Sequence, residues 1–252
     1  MAVNLSKGQR VSLDKSVTLA RIGLGWDTNK YDGGSDFDLD ASVFLLGANG
    51  KVLRDEDFVF YNNLNGRNGA VVHTGDNRTG EGDGDDEAII IDFTKIPPEI
   101  EKIAVTVTIF DAQQRNQNFG QVSNAYVRVV KIDNPDDVNG EEVIHFDLME
   151  EFSIETALVV CEIYRYNGDW KFNAVAAGYQ GGLEALCRAY GVNVELIRNQ
   201  HRSGGKRLVS SVRYNCKYPG GGNSRAPGGR VRRTCCYKQA ADSPRKQRHR
   251  VV

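Results

Sequence analysis

The chain has 252 residues, and its 32 Lys and Arg nearly balance its 33 Asp and Glu, for a net charge of −1. That total hides an asymmetry, because residues 1–195 hold 17 basic and 32 acidic residues (net −15) and residues 196–252 carry a net charge of +14. No stretch approaches the ~18 to 20 apolar residues of a membrane span, and the five irregularly spaced cysteines argue against a disulfide framework, so we expect a soluble, cytoplasmic protein.

Short runs rich in Val, Ile, Phe and Tyr, separated by Gly, Asn and Asp, follow one another along residues 2–178. Such runs are typical of strands, and the lack of helices between them favours antiparallel sheets. The last two runs meet at Asn167-Gly168, a strong signal for a two-residue hairpin turn. The predicted strands are 2–5, 17–25, 37–47, 58–61, 70–73, 88–93, 103–110, 125–132, 143–148, 157–166 and 170–178.

The first of two acidic segments, residues 27–40, leads into the third predicted strand. The alternation in Asp36-Phe37-Asp38-Leu39-Asp40 places three carboxylates on one face of the strand and the two apolar side chains on the other. Same-face side chains lie ~6.6 Å apart. A cation between neighbouring carboxylates, completed by carbonyls of the preceding loop, would therefore convert their repulsion into coordination.

The second acidic segment, residues 76–87, alternates acids with glycines that allow a tight loop. Together the two segments hold eleven carboxylates, with only Lys30 and Arg78 as local cations. Carboxylate and carbonyl oxygens are the hard ligands that Ca²⁺ prefers, so we predict a calcium site. The second segment is not an EF-hand, because Glu81 occupies the position that requires glycine. The alternative is a pair of solvated acidic loops.

One helix is predicted after the last strand. Leu183, Leu186, Cys187 and Tyr190 share one face, and Gly191 fits a left-handed C-terminal cap. We expect this helix to cover one end or face of two packed sheets. The predicted fold class is all-β: an antiparallel two-sheet β-sandwich domain over residues 1–195, with one short C-terminal helix.

Residues 196–252 are rich in Gly, Pro, Ser and Arg and lack a periodic apolar pattern, which predicts a disordered basic tail. Three interpretations stay open. The tail is an anchor for nucleic acid or acidic lipid, a sequence that did not evolve as a functional module, or a segment that lies against the acidic body.

The remaining candidates are weaker. His73 and His145 lie in strand-like runs and are interpreted as packed or surface histidines, and Asp111 as a turn former in preference to a third-site ligand. No nucleophile motif, catalytic triad or phosphate-binding Gly-Lys loop is present. We therefore predict no catalytic residues, no organic cofactor and no small-molecule substrate.

Five motifs resemble the TerD family of tellurium-resistance and stress-response proteins over about residues 1–195: GLGWD (23–27), SDFDLDASVFLL (35–46), FVFYNN (58–63), GDNRTGEGDGDDE (75–87) and FGQVSNAYVRV (119–129). The resemblance implies a β-sandwich that binds two calcium ions. It places the acidic calcium motifs on Asp27, Asp32, Asp36, Asp38 and Asp40, and on Asp76, Asn77, Asp83, Asp85, Asp86 and Glu87. Nothing in the family matches the tail.

The resemblance also implies a cytoplasmic role in tellurite, colicin and phage resistance, through assemblies with other tellurium-resistance proteins at the inner membrane. The leading hypothesis is a non-enzymatic calcium-binding module whose metal-loaded surface recruits partners. Two rivals are a metal-dependent phosphoryl-transfer enzyme and a nucleic-acid binder that acts through its tail. A thiol-based tellurite reductase is set aside, because Cys161 and Cys187 fall in an apolar strand and on a helix face.

Overall fold

The computed structural model describes residues 2–27, 36–75, 84–138, 140–148, 152–197 and 211–214. All of them belong to the first of the chain's two units, Met1–Tyr218, and the second, Pro219–Val252, lies outside the described residues. The fold is mostly β-structure arranged in two main sheets with one short helix after the last strand of the sandwich, as predicted. No helix in the described part of the chain has the length and apolarity to cross a bilayer.

Fifteen strands and two α-helices form the described elements, together with 3₁₀ turns at Asp55–Asp57, Arg67–Gly69 and Phe119–Gln121. The helices are α1 (Ala112–Arg115) and α2 (Gly182–Tyr190). The strands are β1 (Val3–Asn4), β2 (Arg10–Ser12), β3 (Leu19–Gly25), β4 (Leu39–Leu46), β5 (Phe58–Val59), β6 (Asn65–Gly66), β7 (Val71–His73), β8 (Glu87–Asp92), β9 (Lys102–Ile109), β10 (Tyr126–Lys131), β11 (Glu141–Asp147), β12 (Ala157–Tyr166), β13 (Asp169–Tyr179), β14 (Val194–Ile197) and β15 (Ser211–Tyr214).

Sheet A has the strand order β1-β11-β10-β3-β8-β7-β6, and sheet B has the order β2-β13-β12-β9-β4-β5. Neighbouring strands are antiparallel, with one exception: β1 pairs with β11 in parallel. The hairpin between β12 and β13 turns at Asn167 and Gly168, whose φ values are 52° and 84°. Two successive positive φ angles are what a type I′ turn requires, so the predicted hairpin is confirmed.

Alternate residues of the central strands fill the space between the two sheets. In β3, Ile22 and Leu24 face this core, and in β4 the inward residues include Leu39 and Val43. Burial of these side chains on folding is the main favourable contribution to stability. The same alternation turns the odd-numbered residues of β3 and the even-numbered residues of β4 toward the outer faces.

A second apolar cluster lies on the outer face of sheet B, beneath α2. Phe44 stacks on Phe58 with ring centroids 4.4 Å apart, and Leu186 and Cys187 of the helix pack against this cluster. The helix ends at Tyr190 and is capped by Gly191, whose φ of 82° confirms the predicted left-handed cap. The helix therefore covers one face of the sandwich.

All eleven predicted strands are present, but five shorter elements were not predicted. β2 has three residues and β6 has two, so neither is long enough to show the alternation of apolar and polar residues that marks a strand. Helix α1 is a single turn of four residues. Strands β14 and β15 form a separate antiparallel pair. The rest of the predicted tail lies outside the described residues.

Candidate metal centre

The strand register brings the two acidic segments to the same end of the sandwich. In sheet A, the end of β3 lies beside the start of β8, with Leu24 opposite Glu87. In sheet B, β4 begins beside the end of β9, with Leu39 opposite Ile109. The backbone N–H of Ala41 donates a 2.5 Å hydrogen bond to Oε2 of Glu87 and so joins the two sheets at this point. We call this region the acidic end; its described acidic residues are Asp27, Asp36, Asp38, Asp40, Asp85, Asp86 and Glu87.

Side chains of the first acidic segment point alternately to the two faces of sheet B, as predicted. Phe37 and Leu39 are buried in the core between the sheets, while Asp38 and Asp40 lie on the outer face of sheet B with 1% and 3% of their surface exposed. Asp36, one step earlier, is exposed. Two neighbouring carboxylates are thus almost fully removed from water, which is costly unless cations or hydrogen-bond donors compensate them.

One cation lies close to this carboxylate pair. Nη2 of Arg115, at the end of α1, is 3.6 Å from Oδ2 of Asp38, and Nη1 donates to the backbone carbonyl of Asp36 at 3.3 Å. Nε2 of Gln117 donates to the same carbonyl. Helix α1 starts after Asp111, whose left-handed φ of 51° matches its predicted role as a turn former. The sequence offered no signal for Arg115, because a four-residue helix has no recognisable periodicity.

In the second segment, Asp85 points toward the outer face of sheet A and is held by basic side chains. Nε of Arg128 lies 2.7 Å from Oδ1, and Nε of Arg21 lies 3.3 Å from Oδ2. The Tyr126 hydroxyl donates to the Gly84 carbonyl at 2.9 Å and lies 3.4 Å from Oδ1 of Asp85. Burial, with the negative charge of Asp85 acting in the same direction, raises the pKa of Tyr126 to about 12. Asp85 is thus fixed by protein partners.

Two glycines of β3 make room for this arrangement. A Cβ atom at Gly23 would overlap the carboxyl group of Asp85, and one at Gly25 would overlap the ring of Tyr126. Gly23 and Gly25 belong to the GLGWD motif. The motif therefore leaves space over β3 for the side chains of Asp85 and Tyr126.

Substitution Gly23→Ala is expected to destabilise the protein by about 1–3 kcal/mol, because overpacking forces Asp85 away from Arg21 and Arg128. Urea unfolding measures this loss. Asp85→Ala removes the overlapping group, so Gly23→Ala should cost clearly less in that background. An equal cost in both backgrounds would refute the proposed overlap.

Asp86 and Glu87 point elsewhere. The backbone N–H of Trp26 donates to Oδ2 of Asp86 at 3.0 Å. Burial raises the pKa of the Asp86 carboxyl above its ordinary value, the Trp26 hydrogen bond opposes this shift, and the charge of Asp85 adds to it. Glu87 accepts the hydrogen bond from Ala41 and lies 3.8 Å from Nε2 of His73. The three consecutive acids thus reach three different parts of the fold.

His73 completes the contact between the sheets. Its Nδ1 accepts a hydrogen bond from the N–H of Gly75 at 3.1 Å, so the ring proton belongs on Nε2, which lies 3.2 Å from the carbonyl oxygen of Ala41. The side chains of His73 and Glu87 therefore satisfy both backbone polar groups of Ala41 at the edge of β4. This confirms the interpretation of His73 as a packed histidine.

Asp27 lies two residues after β3, and Nδ2 of Asn124 donates to its Oδ2 at 2.7 Å. Four other predicted ligands, Asp32, Asp76, Asn77 and Asp83, lie outside the described residues. Among the residues that the structure describes, no group of three or more His, Cys, Asp or Glu side chains is arranged to hold a metal ion. Asp38 and Asp40 are buried, and their carboxylate oxygens are ligands that suit a divalent cation such as Ca²⁺. These two residues would supply part of a ligand set.

Known proteins resemble this chain over its first 190 or so residues. The TerD domain family matches residues 1–190. The chain is 64% identical over 197 residues to the uncharacterized protein YceE of Bacillus subtilis (strain 168) and 54% identical over 197 residues to general stress protein 16U of the same organism. It is 55% identical over 196 residues to tellurium resistance protein TerD of Serratia marcescens. Each alignment covers 77% of this chain and 99% or more of the relative.

Proposed function

The chain belongs to the TerD family of tellurium-resistance and stress-response proteins, and from this premise we propose that it is a non-enzymatic, calcium-binding stress-response protein. Its calcium-loaded acidic end would recruit partner proteins in the cytoplasm, among them other tellurium-resistance proteins at the inner membrane. Two calcium ions per domain are proposed on the family resemblance.

The burial of Asp38 and Asp40, which flank the first residue of β4, is the observation that carries this proposal. Calcium would neutralise both carboxylates with hard oxygen ligands at about 2.3–2.6 Å. The exposed Asp36 and the carbonyl groups of the loop before it would be further oxygen ligands of the same type. Because calcium requires six to eight ligands, we propose that Asp32, Asp76, Asn77 and Asp83 complete the coordination.

Asp85, Asp86 and Glu87 have a different proposed role. Their oxygens contact the guanidinium groups of Arg21 and Arg128, the N–H of Trp26 and the N–H of Ala41. Three anchored residues in a row fix the position at which the acidic segment enters β8. We therefore propose that they position the segment and that its calcium ligands come earlier in it.

Two alternatives are less favourable on chemical grounds. A phosphoryl-transfer enzyme would have to bring an anionic phosphate to an end of the molecule crowded with carboxylates. Direct reduction of a tellurium oxyanion by Cys161 would require a thiolate, and burial raises the pKa of this thiol well above its ordinary value. Nucleic-acid binding through the tail concerns a segment of which the structure describes only residues 196–197 and 211–214.

The double substitution Asp38→Asn and Asp40→Asn tests the ligand assignment. It keeps side-chain size and removes two negative charges, so calorimetric titration of the full chain should show a calcium affinity at least tenfold weaker, or one site fewer. The matched control is Asp133→Asn with Asp136→Asn, an exposed pair at the opposite end of the sandwich, which should titrate like the unmodified chain. Unchanged stoichiometry and affinity in the first variant would rule out these two ligands.

A further inference from the structure

An open depression of about 310 Å³ lies on the outer face of sheet B, far from the acidic end. In the register of this face, Tyr164 is opposite Lys171, and Lys171 is opposite Ser12. Strand β12 begins beside the end of β9 at the acidic end, so its last residues lie at the other end of the sheet. The lining residues are Arg10, Val11, Ser12, Tyr164, Tyr166 and Lys171.

Two cations face this depression without an acidic partner among the described residues. Nζ of Lys171 lies 4.3 Å from the ring centroid of Tyr166, and Nε of Arg10 donates to Oδ1 of Asn173 at 3.3 Å. Nearby lysines differ, because Lys15 pairs with Asp169 and Lys102 pairs with Glu162. Residues 1–195 carry a net charge of −15, so two cations that lack an acidic partner among the described residues depart from the charge of the domain as a whole.

The aromatic side chains add a second kind of recognition. Tyr166 is 52% exposed, and Tyr164 is partly buried on the same strand face two residues earlier. Such rings offer planar surfaces for stacking, and their hydroxyl groups, with that of Ser12, are hydrogen-bond donors. The volume is at the lower limit of the ~300–1,000 Å³ typical of small-ligand sites.

We propose that this depression binds a small phosphorylated ligand with a planar ring, of the nucleoside monophosphate class. Arg10 and Lys171 hold the phosphate through charge-assisted hydrogen bonds, Ser12 donates to a phosphate oxygen, and the tyrosine rings contact the planar ring. The sequence alone gives no sign of this site, because β2 is too short to be recognised and Arg10 and Lys171 are far apart in the chain. The site is independent of calcium binding at the acidic end.

The test is a titration of the isotope-labelled full chain with adenosine 5′-monophosphate, followed by amide NMR at low salt with chelator present. Saturable shifts confined to β2 and the β12–β13 hairpin are expected. Adenosine and inorganic phosphate should each bind at least tenfold more weakly, because each lacks half of the recognised chemistry. The affinity should fall as salt screens the exposed cations.

Arg10→Gln combined with Lys171→Gln should weaken nucleotide binding at least tenfold, and Tyr166→Ala should weaken it separately. The matched control is Lys95→Gln, which alters a lysine paired with Asp92 on sheet A and should leave binding unchanged. The proposal is overturned if shifts do not saturate or lie elsewhere. It is also overturned if adenosine or phosphate alone binds as tightly, or if the control loses as much affinity as the Arg10 and Lys171 variant.

Discussion

Removing divalent cations from the full chain with a chelator is expected to lower its melting temperature by about 5 to 10 °C at low salt. A ligand that binds only the folded state adds about 2.7 kcal/mol at a hundredfold excess over its Kd, and each kcal/mol shifts the melting temperature by roughly 2–4 °C in a domain of this size. Without the cation, the buried carboxylates of Asp38 and Asp40 also repel each other.

The variant with Asp38→Asn and Asp40→Asn is the control for this experiment. Its melting temperature should depend clearly less on chelator than that of the unmodified chain, because the two charges that one cation neutralises are gone. A chelator-independent melting temperature in the unmodified chain would instead indicate that the acidic segments are solvated surface loops.

Substitution Asp85→Ala is expected to destabilise the protein by about 3 kcal/mol. Removing one partner of a buried ion pair typically costs about 3–5 kcal/mol, because the remaining charge is left uncompensated. Arg21 has 12% of its side-chain surface exposed and loses a direct partner; Arg128 has 26% exposed and keeps its 3.2 Å contact with Glu142. The lower end of the range is therefore expected, as measured by urea unfolding.

A comparison with and without chelator separates this role from metal ligation. If Asp85 anchors the acidic segment to sheet A, most of the loss should remain when no divalent cation is present. The surface control Asp133→Ala should cost little, because that residue is exposed. A loss that disappears in chelator would make Asp85 a metal ligand and not an anchor.

Much of the fold was predictable because its signals are local. Alternation over two residues correctly directed Phe37 and Leu39 to the core and Asp38 to the opposite face. The Asn167-Gly168 dipeptide located the hairpin, since few other residues adopt two successive positive φ angles. Both signals depend on neighbouring residues alone.

The partners of individual carboxylates were not predictable in the same way. Asp85, Asp86 and Glu87 look equivalent in the sequence, yet they contact sheet A, the end of β3 and the edge of β4. Arg21 and Arg128 reach Asp85 through pairing between strands distant in the chain. A charge run therefore predicts where compensation is needed and not which residue provides it.

Calorimetric titration of the full chain with Ca²⁺, and separately with Mg²⁺, tests the central proposal most directly. Flexible carboxylate loops with many oxygen ligands favour Ca²⁺, whereas Mg²⁺ demands a tighter octahedron and sheds its water reluctantly. We expect saturable calcium binding with two sites per chain and clearly weaker magnesium binding. Equal affinity for the two ions, or no binding of either, would contradict the assignment of the acidic end as a calcium site.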